Sequence, residues 1–169
     1  MITKCSSREG QFEPFYLIQS SDEGKRYVVG LNDKLYVRVL LAGFINASRS
    51  VQLKIVDFDD SENPIDYSGV AKRKSLHKTL DEFEDVLFSN GFFDLMIRNP
   101  KSGDYIVYDE HGLIFIYSDK DYSSILKNTG AEFKPDQKLI YEFDHWHRKE
   151  ANGSERFEEF IKSLKMTMD

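Results

Sequence analysis

Residues 141–147 read Tyr141–Glu142–Phe143–Asp144–His145–Trp146–His147, and they hold two of the four histidines and the one tryptophan of the chain. On an extended strand His145 and His147 share a face, with Cβ atoms about 7 Å apart. Two imidazoles so placed can share one metal ion. Glu142, Asp144 and Trp146 then point the other way and cannot complete the site. Zinc takes three or four protein ligands, so a third must come from elsewhere, with His111 and His77 as the candidates. The alternative is a strand end whose histidines bond carboxylates, or a polar patch that meets a partner. An imidazole also suits proton transfer, because its pKa is near neutral. Asp109, Glu110 and His111 sit between two strand-like segments, where function concentrates but acidic turn formers are also ordinary.

Asp57, Asp59, Asp60 and Glu62 form an acidic run. A calcium loop needs Gly at its sixth position and Glu at its twelfth. Counted from Asp57 those positions hold Glu62 and Ser68, so the match fails. The run reads instead as an acidic surface. Tyr108, Glu110, Asp144 and Trp146 extend it as candidate protein contacts, since Tyr and Trp bury area while keeping a polar handle. Sheets favour aromatics in any case. Lys72–Arg73–Lys74, with His77 and Lys78, is a basic cluster flanked by Asp81, Glu82, Glu84 and Asp85, and it balances local charge. The glycine-rich nucleotide loops and the nucleophile elbow are absent. Cys5 stands alone in a polar stretch, with nothing nearby to lower its pKa.

The 169 residues fit one domain, 1–169, and 13 Phe with 9 Tyr supply a core. Residues 1–12 read as a flexible N-terminal arm. The net charge of −6 argues against nucleic acid, which selects a basic surface. It suits a basic protein partner. No run approaches the ~20 apolar residues of a membrane span. A single cysteine and no signal-peptide pattern lead to a cytoplasmic expectation, under which the sequons at Asn46 and Asn152 are chance matches.

The elements that must carry these residues follow from periodicity. Alternation predicts strands at 27–29, 35–41 and 51–58, with a turn at Asn32–Asp33 and a loop over 61–67. Thr79–Leu80–Asp81–Glu82 matches a capping box, and Asn90–Gly91 a left-handed helix stop. Strands follow at 93–98, 105–108 and 113–117, the last two joined by a hairpin with Gly112 at a positive φ. A helix over 119–128 ends before Gly130, a strand runs 139–147, and Ser154 caps a final helix. The expected fold is α+β: a mainly antiparallel sheet of six to seven strands with three helices, in the order βββαβββαβα.

The function expected is a small acidic protein-binding module, an inhibitor or immunity protein that neutralises a basic toxin-like partner. That likeness is one of size, charge and missing motifs. The rival is a small zinc-dependent or histidine-based enzyme using His145, His147 and His111. A Tyr-rich edge strand also allows a homo-oligomer.

Overall fold

Val51, Leu53 and Ile55 place a buried side chain at every second position, and Gln52, Lys54 and Val56 between them face outward. The same alternation runs through Phe93, Leu95 and Ile97 and through Ile106 and Tyr108. A computed structural model describes residues 2–7, 12–21, 24–60 and 62–169. Its strands are β1 (Cys5–Ser7), β2 (Phe15–Ser21), β3 (Gly24–Gly30), β4 (Ser50–Asp57), β5 (Ile65–Lys72), β6 (Phe93–Arg98), β7 (Tyr105–Tyr108), β8 (Leu113–Tyr117), β9 (Glu132–Phe133), β10 (His145–His147) and β11 (Thr167–Met168). Its helices are α1 (Lys34–Asn46), α2 (Arg73–Glu82), α3 (Glu84–Ser89), α4 (Ser123–Asn128) and α5 (Gly153–Leu164). Nine strands form one sheet in the order β11-β5-β4-β6-β7-β8-β3-β2-β9, antiparallel except for β2 with β9. The helices pack on one face, where Leu41, Leu80, Leu87, Leu126 and Phe160 meet the inward sheet residues. Leu139 and Ile140 cover part of the other face over Leu17 and Val28. No helix among the described residues is long and apolar enough to cross a membrane.

The α+β class and the antiparallel sheet are as expected. The counts are not: eleven strands and five helices replace six to seven and three. Residues 35–41 are helix, not strand. Leu35 and Val39 supplied half of the alternation but are 65% and 52% exposed. The buried set is Val37, Leu40, Leu41, Phe44 and Ile45, which is helical spacing. Asp33 caps this helix, its Oδ1 accepting from the Leu35 N–H at 2.8 Å. Thr79 is no cap either. It is buried inside α2, with Oγ1 3.2 Å from Ser163 Oγ, and the helical path breaks at Phe83 instead. β5 begins at Ile65, inside the expected 61–67 loop, whose Ser61 lies outside the described residues. α4 starts at Ser123, capped through Asp121, and α5 begins ahead of Ser154. Residues 139–147 are not one strand. A 3-10 turn at Ile140–Glu142 interrupts them, closed by Glu142 accepting from the Leu139 N–H at 2.7 Å, and only His145–His147 is extended. Gly112 and Gly130 take positive φ as expected, whereas Gly91 does not.

Part of the expected N-terminal arm is built into the fold. Met1 and residues 8–11 of the expected flexible stretch lie outside the described residues. Within them, β1 pairs antiparallel with β10, Cys5 opposite His147 and Ser7 opposite His145. Lys4 is fully buried. Its Nζ donates to the carbonyls of Phe93 (3.1 Å) and Asp109 (2.7 Å) and lies over the Phe93 and Tyr108 rings at 4.2 and 4.4 Å. Gly91 is small because Lys4 passes it: a Cβ there would sit 2.0 Å from the Lys4 carbonyl oxygen.

Burial lowers the Lys4 pKa to about 8, against the pull of Asp109, Asp94 and Glu110. Burial and the Asp109 charge raise Asp94 to about 6, against the pull of Lys4. A carboxyl whose pKa is higher folded than unfolded loses stability as pH rises through that interval. Asp94 therefore costs stability between about pH 4 and 6, up to about 3 kcal/mol. Asp94→Asn keeps an acceptor for the Glu110 N–H and is expected to flatten that part of the profile. Lys4→Met leaves the carboxylates without their cation and is expected to cost about 3 kcal/mol at pH 7. Urea-denaturation midpoints against pH measure both. Parallel wild-type and Asp94→Asn profiles would show that Asp94 carries no such linkage.

Candidate metal centre

The hairpin between β7 and β8 is built on Asp109. This residue is 7% exposed, so its charge needs donors. Oδ1 accepts from the His111 N–H (3.0 Å) and the Leu113 N–H (2.7 Å), and Oδ2 lies 3.0 Å from His111 Nδ1. Gly112 supplies the left-handed residue, φ 84°, that lets the chain return. The loop thus fixes both the backbone and the ring of His111. Across from it, β1 holds β10 in register, and His145 and His147 face the hairpin together. Ring centroids of His111 lie 4.9 Å from those of both His145 and His147, and those two are 5.4 Å apart. The Phe92 ring backs His147 at 5.6 Å, and the Tyr141 ring meets His111 edge-on at 5.9 Å.

The partners of these rings dictate their tautomers. His111 Nδ1 faces the Asp109 carboxylate, and His145 Nδ1 faces the Phe143 carbonyl at 2.8 Å. Both partners only accept, so both Nδ1 atoms carry hydrogen. Neutral rings would then present bare lone pairs at Nε2. Yet the two Nε2 atoms are 3.3 Å apart. A cation between them, a proton or a metal ion, resolves the conflict. A tetrahedral ion with bonds of about 2.0–2.1 Å holds its ligand nitrogens about 3.3–3.4 Å apart. One ligand nitrogen from each of the three histidines falls within 4.8 Å of the others. His147 Nδ1 is buried with no hydrogen-bond partner among the described residues.

Electrostatics divide the three rings. Burial alone would lower the His111 pKa, but the Asp109 hydrogen bond and the charges of Asp109, Glu110 and Asp94 outweigh it and raise the pKa. Burial lowers the His147 pKa, and a charged His111 lowers it further. Glu110 Oε1 stands 3.8 Å from His111 Nε2, beside the space between the rings. His111 also lines a cavity of about 380 Å³ bounded by β1, the ends of β2 and β3, and Trp146.

Of the two candidates for a third ligand, His111 and His77, the fold brings His111 to the histidine pair. His77 lies on α2, its Nε2 3.0 Å from Asn46 Oδ1. Asp144 and Trp146 are exposed on the opposite side of β10. The acidic run stands at the β4 end of the sheet. Asp57 is half-buried and accepts from the Asp59 N–H at 2.9 Å, Asp59 pairs with Lys149 at 2.6 Å, Asp60 accepts from Asn63 Nδ2 at 3.1 Å, and Glu62 is exposed. Tyr108 is corrected: it is fully buried between Lys4 and Phe88 and presents nothing to a partner. Cys5 sits across from His147, and burial pushes its thiol up to about 11. The orienting role of Asp109 was missed, although an Asp two residues before a His and three before a hairpin Gly is a readable signal. The cavity walls from residues 2–7 had no periodicity to announce them.

The tautomer assignment is open to nitrogen-15 NMR of the metal-free protein. His111 and His145 are both expected to be protonated at Nδ1. In Asp109→Asn the amide N–H₂ facing the ring would move the His111 hydrogen to Nε2, with the fold retained because Oδ1 stays. A wild-type His111 unprotonated at Nδ1 would refute the assignment. No protein-family model, curated protein or solved structure matches this chain.

Proposed function

We propose that the protein binds one zinc ion through His111, His145 and His147 and uses it for hydrolysis of an acyl substrate. One observation carries this reading: two Nε2 atoms at 3.3 Å whose Nδ1 atoms are both committed to acceptors. The supporting shell is of the kind metal sites require, with one ring oriented by a carboxylate and one by a carbonyl. Zinc suits an all-imidazole set, and three protein ligands leave a fourth position for water, as in catalytic sites. Zinc lowers the pKa of such a water to about 7. Glu110, whose Oε1 is 3.8 Å from His111 Nε2, would be the group to take the proton of such a water. The water oxygen then adds to the carbonyl carbon, the acyl–heteroatom bond breaks, and Glu110 returns the proton to the leaving heteroatom.

Purified protein is expected to carry one zinc per chain by elemental analysis and to lose melting temperature on chelation. His111→Ala and His145→Ala are expected to weaken zinc by more than about 100-fold, beyond the usual cost of losing an orienting partner. Glu110→Gln is expected to keep the zinc and to slow zinc-dependent hydrolysis of 4-nitrophenyl acetate by about 100-fold. Sub-stoichiometric zinc with a melting temperature indifferent to chelation removes the metal reading. Bound zinc without zinc-dependent hydrolysis removes the catalytic part alone.

A second reading, the neutralisation of a basic protein partner, is favoured by Trp146. This side chain is 47% exposed beside an exposed Asp144, the amphipathic type that anchors interfaces. Capture of a basic protein from the native host, abolished by Asp144→Lys with Glu62→Lys, is the expected outcome. Capture that ignores the charge reversal would count against it.

A further inference from the structure

The cavity beside His111 differs in chemistry from the chain that surrounds it. The protein carries a net charge of −6, yet among the described residues no carboxylate lines this cavity. Its floor is Phe15 lying flat over Gly30, where a Cβ would come 2.3 Å from the ring. Leu31, Leu113 and Ile140 make its apolar walls, and Ser6 and Ser7 its polar side. Among the described residues, the charged one that lines it besides His111 is Arg148. The guanidinium of Arg148 is exposed and makes no hydrogen bond or ion pair with the described residues. At about 380 Å³ the space falls in the range of small-molecule sites, roughly 300–1,000 Å³.

A partly apolar cleft whose described lining offers a cation and no carboxylate selects by charge. A cationic ligand would be desolvated there with no carboxylate to meet it. An anionic one finds the fork of Arg148, whose planar donors match a carboxylate. We propose that this cavity binds a small monoanionic amphiphile, an alkyl or aryl carboxylate, with its apolar body over Phe15 and its carboxylate at Arg148. The assignment rests on the zinc reading in one respect: His111 belongs to both sites, so the acyl substrate at the metal and the carboxylate in the cavity are one chemical class, substrate and product.

The test is calorimetric titration of zinc-loaded, full-length protein with 5-phenylpentanoate and with 5-phenylpentylamine. The carboxylate is expected to bind, and the amine at least tenfold more weakly. Arg148→Gln should weaken the carboxylate tenfold or more, because the backbone contact of this residue is untouched. Ser6→Trp, on β1 opposite Trp146, puts an indole on a residue that lines the cavity and should abolish binding while zinc stays at one per chain. Equal binding of acid and amine, or binding indifferent to both substitutions, overturns the assignment. Zinc bound without carboxylate binding overturns it and leaves the zinc site standing. If zinc does not bind, the zinc reading falls, and the metal-free titration decides the cavity alone: Arg148-dependent binding upholds it and no binding ends it.

Discussion

A buried ammonium holds the arrangement together. Lys4 donates to the carbonyls of Phe93 and Asp109, at the start of β6 and just past the end of β7. It therefore closes the end of the sheet at the point where the hairpin leaves it. Burying an unpaired lysine in an apolar site would cost several kcal/mol. Here two carbonyl acceptors, two aromatic faces and three carboxylates within Coulombic reach offset that cost. Once Lys4 is in place, the next three residues have one route open, and β1 runs along β10. The Lys4 carbonyl then accepts from the Arg148 N–H at 2.9 Å, just beyond the two histidines. One residue thus anchors both strands of the β1–β10 ribbon at their Cys5–His147 end.

Asp109 serves the same junction from the other side. Its carbonyl receives Lys4, and its carboxylate receives His111. The backbone and side chain of one residue thereby couple the anchor to the ligand. The charge balance favours a cation between the rings. Asp94, Asp109 and Glu110 surround the position, and Lys4 is the one opposing charge drawn into the same cluster. In the metal-free protein that surplus appears as the raised pKa of His111, the proton taking the place of the ion.

The shared face of the histidine pair was legible in the sequence because the two-residue strand period is rigid. The strands at 51–57, 93–98, 105–108 and 113–117 were legible for the same reason: Val51, Leu53 and Ile55, for example, fill one face without exception. Residues 35–41 misled because a helix with apolar residues on two sides also shows four alternating positions. Only extending the window to Phe44 and Ile45 separates the two periods. The arm was illegible for a different reason. Lys4 is a polar residue buried by tertiary context, and nothing local marks a lysine that will meet two ring faces. Tyr108 failed likewise: an aromatic on a strand does not reveal which face is covered.

The three histidines proposed as ligands stand on parts of the chain with different support. His111 stands on a hairpin between two central strands, whose backbone bonds lie within the nine-stranded sheet. His145 and His147 stand on a two-stranded ribbon of three residues a side, too short to be stable alone. An ion shared between them has a higher affinity for the docked ribbon than for an undocked one, because only the docked form brings the third nitrogen within reach. Binding free energy at such a site is therefore in part docking free energy. Lys4 lowers the docking cost before any ion arrives, and the ion adds the remainder. That division places the burden of preorganisation on a residue more than a hundred positions from the nearest ligand in sequence and one peptide away from a ligand's partner in space.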